Sequence, residues 1–354
     1  VLVIKFIFRL LILLLVPIAV AVATYLYVYS QLLSPLNPED KSIKAIEIAE
    51  KTTFIEIARA LETSGILKNA LSLRILAKLS KDEVKIKAGE YELSASMTPK
   101  EIIDYLKAGK MKIRELRVPE GLTIVDISRL VESSGLGSAQ EFQQNTRRSD
   151  LLAKAGISAS SFEGYLFPET FRLSRPISPS KIIWLMFEQS EKIWTPEFQR
   201  LAEDQRLSRH EILTLASIIE KESGNIEEQP IISSVFYNRL KLGMRLQSDP
   251  TVIYGIPKFN GNLTKADLKR THAYNTYVNF GLPPGPICNP GLSAISAALK
   301  PAQTEFLYFV GDNKGKHIFS KNLEEHNIAV NKYQRSLRQE RTEDEEEEAK
   351  PSAL

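Results

Sequence analysis

Of the 354 residues only one, Cys288, is a cysteine, so no intrachain disulfide can form. That excludes a disulfide-stapled scaffold but not an extracytoplasmic location, where disulfides are permitted and not required. Four histidines (His210, His272, His317, His326) are scattered without ligand spacing, and there is no HExxH. Zinc and Ser-His-Asp chemistry therefore have no sequence support, and no metal or other cofactor is expected. A concentrated Lys/Arg stripe with interleaved aromatics is also missing, which argues against nucleic acid as a partner. Charge runs to one sign only in residues 339–354, where seven acids face two bases. This tail reads as solvated and disordered, and it hides a mildly basic body suited to an anionic polymer.

Hydrophobic residues make up 43% and charged residues 25% of the chain, enough for a sizeable core, and the length suggests about two domains. Leu10 to Tyr29 holds 20 residues without a charge, the length of a bilayer-spanning helix. Lys5 and Arg9 precede it and Tyr25, Tyr27 and Tyr29 sit at its far end. Positive residues stay inside, so the remainder should lie outside the cytoplasm on a single-pass anchor. Ala19-Val20-Ala21 and Ala21-Val22-Ala23 resemble signal cleavage sites, but the apolar run continues past them to Val28. The expected order is a cytoplasmic end at 1–9, a transmembrane helix at 10–29, a Pro-containing linker at 30–42 and two folded parts at 43–110 and 111–338.

Residues 45–67 and 115–137 are similar at an offset of 70, sharing Glu50/Glu120, Thr53/Thr123, Ile57/Ile127, Arg59/Arg129 and Gly65/Gly135. Each reads as a strand, a turn, a Thr N-cap, a short helix and a Gly stop. A helix pattern over Ala70–Leu79 and a strand over Lys87–Leu93 complete a strand-helix-helix-strand order in the first part. Thr98 and Pro99 then start a helix to Leu106. Strands and helices without a regular parallel alternation predict an α+β fold.

Chemistry concentrates after residue 160. The stretch LTLASIIEKESG (213–224) predicts a helix whose apolar arc includes Glu220, between Ala216 and Leu213. Thr214, Ser217 and Lys221 form its polar strip, and Glu222 falls near the other edge, between Ile218 and Leu215. A carboxyl in apolar surroundings has a raised pKa and can stay protonated near neutrality. As a bland alternative, the helix simply ends in two solvated glutamates and a Gly cap. SFEGYLFPETFRL (161–173), GMRLQSDPTVIYG (243–255) and AYNTYVNFGLPPGPICNPG (273–291) add Tyr, Asn, Gln and acids on Gly/Pro-fixed loops. Such surfaces stack and hydrogen-bond sugars.

Together these stretches resemble the endolytic murein transglycosylase (YceG-like) family over nearly the whole chain. LQSDPTVIYG with YNTY and GLPPGPI carry the most specific match, and the first part, 43–110, resembles a LysM-like carbohydrate-binding module. The resemblance implies a membrane-anchored enzyme that cuts MurNAc–GlcNAc bonds within peptidoglycan strands and leaves 1,6-anhydro-MurNAc ends. It further implies a bacterial cytoplasmic-membrane location, a role in ending strand growth, and peptidoglycan synthases as partners. It makes Glu220 the catalytic residue. Glu222 matches the second glutamate and receives no role. Glu163, Tyr165, Gln247, Asp249, Tyr274, Asn275 and Tyr277 are the candidates to hold the sugars. Two alternatives stand beside this: a non-catalytic peptidoglycan-binding scaffold, and a muramidase pairing Glu220 with Asp249 or Glu163 as in two-carboxylate hydrolases.

Overall fold

The computed structural model describes residues 2–79 and 86–335, so the acidic tail at 339–354 lies outside the described residues. Helix α1 (Leu2–Leu33) has its apolar stretch Leu13–Ser30 fully exposed, with mean hydropathy 1.9. It is long and apolar enough to cross a membrane, and among the described residues no other helix is. The helix runs through Ser30–Leu33, the start of the expected linker; the prolines there, Pro35 and Pro38, lie beyond its end. The chain divides into two units, Val1–Glu115 with Arg172–Ile177, and Leu116–Phe171 with Ser178–Leu354. The division thus falls five residues later than the expected 110/111 boundary, and a short later segment belongs to the first unit.

In the first unit β1 (Lys44–Ile48) leads into α2 (Phe54–Thr63) and α3 (Ala70–Leu79). Then β2 (Gly89–Leu93) pairs antiparallel with β1, Lys44 opposite Leu93 and Ile48 opposite Gly89. Thr53 and Glu56 close a capping box on α2, and Thr98 and Glu101 do the same for α4 (Pro99–Lys107). A cation closes the end of α2: Lys44 Nζ donates to the carbonyls of Ser64, its C-cap, and of Gly65 beyond it. Ile57, Leu61, Ile66, Leu73, Tyr91, Leu93, Ile102 and Leu106 fill the core between these elements. This βααβ order follows the sequence reading.

Strands β3 (Arg114–Arg117) and β4 (Thr170–Leu173) lie at the boundaries between the units. In the second unit Thr123 caps α5 (Ile124–Ser133) with Asp126 in the Glu56 role. The repeated stretch therefore builds a strand and a capped helix twice, with one of the two capped helices in each unit. Short helices α6 (Ala139–Asn145) and α7 (Ser149–Lys154) precede α8 (Pro179–Ile193) and α9 (Pro196–Asp204). Next come α10 (Arg209–Glu222), α11 (Gln229–Lys241), α12 (Asp249–Tyr254), α13 (Lys265–Lys269) and α14 (Leu292–Leu299). A hairpin of β5 (Tyr308–Gly311) and β6 (His317–Ser320) and then α15 (Leu323–Val330) complete the unit.

Helix α10 is the axis of this unit and packs on α9, α11, α12 and α14. Every residue from Ile212 to Ile219 is buried, Thr214 and Ser217 included. The expected polar strip is thus absent, and only Lys221 of its three members is exposed. The hydroxyls can be buried because they are satisfied: Thr214 donates to His210 O at 2.7 Å and Ser217 to Thr214 O at 2.7 Å. Ser217 Oγ also accepts the Ile287 N–H at 2.9 Å, tying the GPIC segment to the helix. The helix ends because Ser223 turns extended (φ −143°), so no left-handed glycine cap is used.

Candidate active site

At the end of α10 two carboxyls leave the same buried rod. Two residues on a helix lie about 200° apart, so Glu220 and Glu222 face different surroundings. Glu220 turns toward two glycine-containing loops. Its Oε2 accepts the Gly291 N–H at 3.0 Å, at the start of α14, where a helix N-terminus favours negative charge. Gly121 lies close on the other side: a Cβ there would sit 3.4 Å from Glu220 Cγ. Glu120 is the neighbouring acid. Burial raises the Glu220 pKa, the Gly291 N–H opposes this, and the Glu120 charge adds to it.

Glu222 meets a different loop. Ser248 Oγ donates to Glu222 Oε1 at 2.5 Å. Burial pushes this carboxyl up to about 7, the Ser248 hydrogen bond resists, Asp249 adds to the rise and Arg239 counters it. The loop is held by Thr276, whose Oγ1 accepts Ser248 N–H at 3.0 Å and whose carbonyl accepts Gln247 N–H at 3.1 Å. Gln247 sits in the left-handed region (φ +51°), unusual for a residue with a Cβ. Asp249, at the first turn of α12, accepts the Tyr277 hydroxyl at 2.5 Å.

Glu222, Gln247, Asp249 and Tyr277 all line one cavity of about 460 Å³, together with Arg239, Tyr308, His317 and His326. Arg239 is spent largely on the frame: Nε donates to Leu307 O at 2.6 Å and Nη1 to Leu246 O at 2.7 Å. Its guanidinium lies 5.1 Å from the Tyr308 ring centre. A carboxyl half protonated near pH 7 on the wall of a polar cavity can both give and take a proton.

The remaining sequence candidates lie elsewhere in this unit. Glu163 is 7% exposed and receives the Ile124 N–H at 3.0 Å, Asn289 Nδ2 at 2.9 Å and the Tyr254 hydroxyl at 3.3 Å. Burial pushes it up to about 8 against those three donors. Asn289 Oδ1 in turn accepts Gly164 N–H and Leu166 N–H, so Glu163 and Asn289 lash three loops together. Tyr165 is buried with its hydroxyl 2.9 Å from His210 Nδ1. Tyr274 is half-buried, its ring 4.8 Å from that of Tyr254. Asn275 is wholly buried, and its Nδ2 donates to Leu268 O and Arg270 O while Oδ1 accepts Tyr277 N–H. Its amide is consumed by the backbone, so here it shapes the YNTY loop and presents nothing to a ligand. Three of the seven sugar-holding candidates, Gln247, Asp249 and Tyr277, therefore share the cavity with Glu222.

Sequence reasoning passed over Ser248, Arg239, Tyr308, His317 and His326. Ser248 stood inside the LQSDPT stretch, and its hydroxyl next to an acid was the available signal. The others come from β5, β6, α11 and α15 and carry no local signature. Among the described residues no three His, Cys, Asp or Glu side chains are grouped so as to hold a metal.

A protonatable carboxyl delivered by a buried helix into a polar, aromatic-walled cavity on an α+β frame is the arrangement of a general acid–base enzyme. The sequence pattern that defines the YceG-like family matches residues 46–332, and the chain belongs to that family. It is 32% identical over 320 residues to an endolytic murein transglycosylase of Bacillus subtilis, spanning 85% of this chain and 88% of that one. An endolytic murein transglycosylase of Streptococcus pneumoniae serotype 2 is 30% identical over 330 residues, 84% of this chain and 60% of its own length. The crystal structure of a yceG-like protein from Listeria monocytogenes is 34% identical and superposes with a TM-score of 0.57, covering 81% of this chain and 99% of that one.

Proposed function

We infer that this protein is a peptidoglycan lytic transglycosylase and that Glu222 is its proton carrier. The enzyme class follows from the family and its named relatives. The observation that carries the residue assignment is the Glu222 carboxyl, pushed up to about 7 on a cavity wall shared with Gln247, Asp249 and Tyr277. In the protonated form Glu222 gives its proton to the oxygen leaving MurNAc C1. As a carboxylate it then takes the proton of the MurNAc C6 hydroxyl while that oxygen bonds to C1, closing a 1,6-anhydro ring. One group with a pKa near the working pH serves both steps. The sequence resemblance gives this role to Glu220, whose raised pKa supports it as the rival. Its carboxyl turns to Gly291 and Glu120 instead, so the geometry favours Glu222.

Asp249 beside Glu222 supports one further reading, a muramidase in which a second carboxylate guides water. We also propose that α1 anchors the protein once in the cytoplasmic membrane with the enzyme outside, and that the βααβ module of residues 43–110 is LysM-like and holds glycan. Endolytic cutting and peptidoglycan synthases as partners complete the proposal. Purified full-length protein incubated with peptidoglycan tests the reading by mass spectrometry. Anhydro-MurNAc products that vanish in Glu222→Gln support it. Reducing MurNAc ends would make the enzyme a muramidase, and no products at all would leave a binding scaffold.

A further inference from the structure

The Glu222 cavity has two chemically different walls. One comes from the end of α10 and the Gln247–Asp249 loop, and Glu222 and Asp249 are the acids lining the cavity. The other comes from β5, β6 and α15, and none of its residues lining the cavity is an acid. We propose that this second wall, formed by Tyr308, Phe309, His317, Leu323, His326 and Val330, is the subsite for the peptide stem of the muramyl residue being cut. The inference rests on the glycan-cleaving reading of Glu222 and extends it to the choice of substrate.

The stem is a short amide-bonded chain with methyl side groups and free carboxylates, joined through a lactyl ether to the sugar whose C1 is attacked. It must therefore leave the same ring that Glu222 acts on, and an acidic wall would repel it. The second wall offers what such a chain requires. Phe309, Leu323 and Val330 give apolar contact for methyl groups. Arg239 also lines the cavity, with Nε and Nη1 bonded to backbone carbonyls and Nη2 without a protein acceptor among the described residues. His317 is held in place by Glu228, its Nδ1 lying 2.7 Å from the carboxylate.

His326 supplies the most specific observation. Its Nδ1 is buried and has no hydrogen-bond partner, while its ring stacks on Tyr308 at 5.2 Å. Nδ1 is thus closed off behind the ring, and the edge that can meet a ligand in the cavity is Nε2, which has no protein hydrogen-bond partner among the described residues. Burial, and after it the Arg239 charge, lowers the His326 pKa, which favours the neutral ring, a donor and an acceptor suited to an amide. The volume of about 460 Å³ accommodates a sugar ring and the first stem residues, and the rest of the strand lies outside.

The test uses the full-length protein on two substrates: uncrosslinked glycan strands bearing stems, and the same strands stripped by an amidase. The readout is the ratio of kcat/KM for the two. The wild type should prefer stem-bearing strands by about tenfold, the scale of one or two satisfied polar contacts. His326→Ala should bring the ratio toward one, and His326→Gln, which keeps a hydrogen-bonding amide, should restore part of it. Leu323→Glu, on an exposed position that leaves the fold intact, should lower the ratio by placing a like charge against the stem carboxylates. Equal rates on both substrates in the wild type, or a ratio unmoved by all three substitutions, would overturn the subsite while leaving the catalytic reading in place. Cleavage of neither substrate would overturn the catalytic reading and the subsite with it.

Discussion

Glu220 and Glu222 leave one helix two residues apart, and the protein treats them differently. On the Glu220 side lie backbone and frame: Gly121 and Gly291 come close, and the nearby Glu163–Asn289 node ties the EGYLFPE, GLT and CNPG segments together. On the Glu222 side lie a hydroxyl, a cavity and side chains from five different elements. Both carboxyls are raised by burial, so a raised pKa does not separate them. What separates them is what each can reach. Glu220 meets a backbone N–H and a second acid, Glu120, whereas Glu222 meets a hydroxyl on the wall of a cavity, the contrast on which the proposed role of Glu222 rests.

The largest effect should come from Glu222→Gln, which keeps size and hydrogen bonding and removes proton exchange. Its rate of peptidoglycan cleavage should fall by about 10²–10⁴-fold, the usual contribution of general acid–base catalysis, with an unchanged circular dichroism spectrum. The frame side should instead answer in stability. Gly164 sits at φ +83°, and a Cβ there would come 2.3 Å from the Pro286 ring. Gly164→Ala should therefore lower the unfolding free energy by about 2–4 kcal/mol in a denaturant titration.

A smaller effect on the same side is pH dependence. Glu163 is pushed up to about 8 in the folded protein, whereas in the unfolded chain it titrates near the ordinary carboxyl value of 4.5. Between these values the folded state binds more protons, so stability is fully present below about 4.5 and is lost as pH rises toward 8. Glu222 acts in the same direction up to about 7. The Tm should fall across this window, and Glu163→Gln should flatten the fall. The smallest effect should be that of Glu220→Gln on turnover, about tenfold or less, because its amide oxygen can still accept the Gly291 N–H. A loss as large as that of Glu222→Gln would erase the contrast between the two sides.

Much of the frame was legible because it is local. A Thr followed three residues later by Glu or Asp marks α2, α4 and α5, and the apolar period of Ala70–Leu79 marks α3. The site was legible only in part. Thr214 and Ser217 read as a solvent strip because their acceptors, one helical turn back, are invisible in a polarity pattern. Asn275 read as a sugar ligand because nothing local shows that three carbonyls between 267 and 270 take its amide. Choosing between the two glutamates depends on where residues 246–249 and 308–330 fold, which helix geometry alone does not determine. The linker was drawn from Pro35 and Pro38, but proline limits only where a helix must stop, and α1 continues to Leu33.

The most direct measurement is the pH profile of kcat/KM for the wild type, Ser248→Ala and Glu220→Gln on the same glycan strands. The wild-type rate should fall on an alkaline limb centred near 7, as the proton of Glu222 is lost. Ser248 donates to the ionised carboxyl and holds its pKa down, so Ser248→Ala should move that limb to higher pH by about one unit. Glu220→Gln should leave it in place. A limb that moves with Glu220→Gln and ignores Ser248→Ala would contradict the account and return the catalytic proton to Glu220.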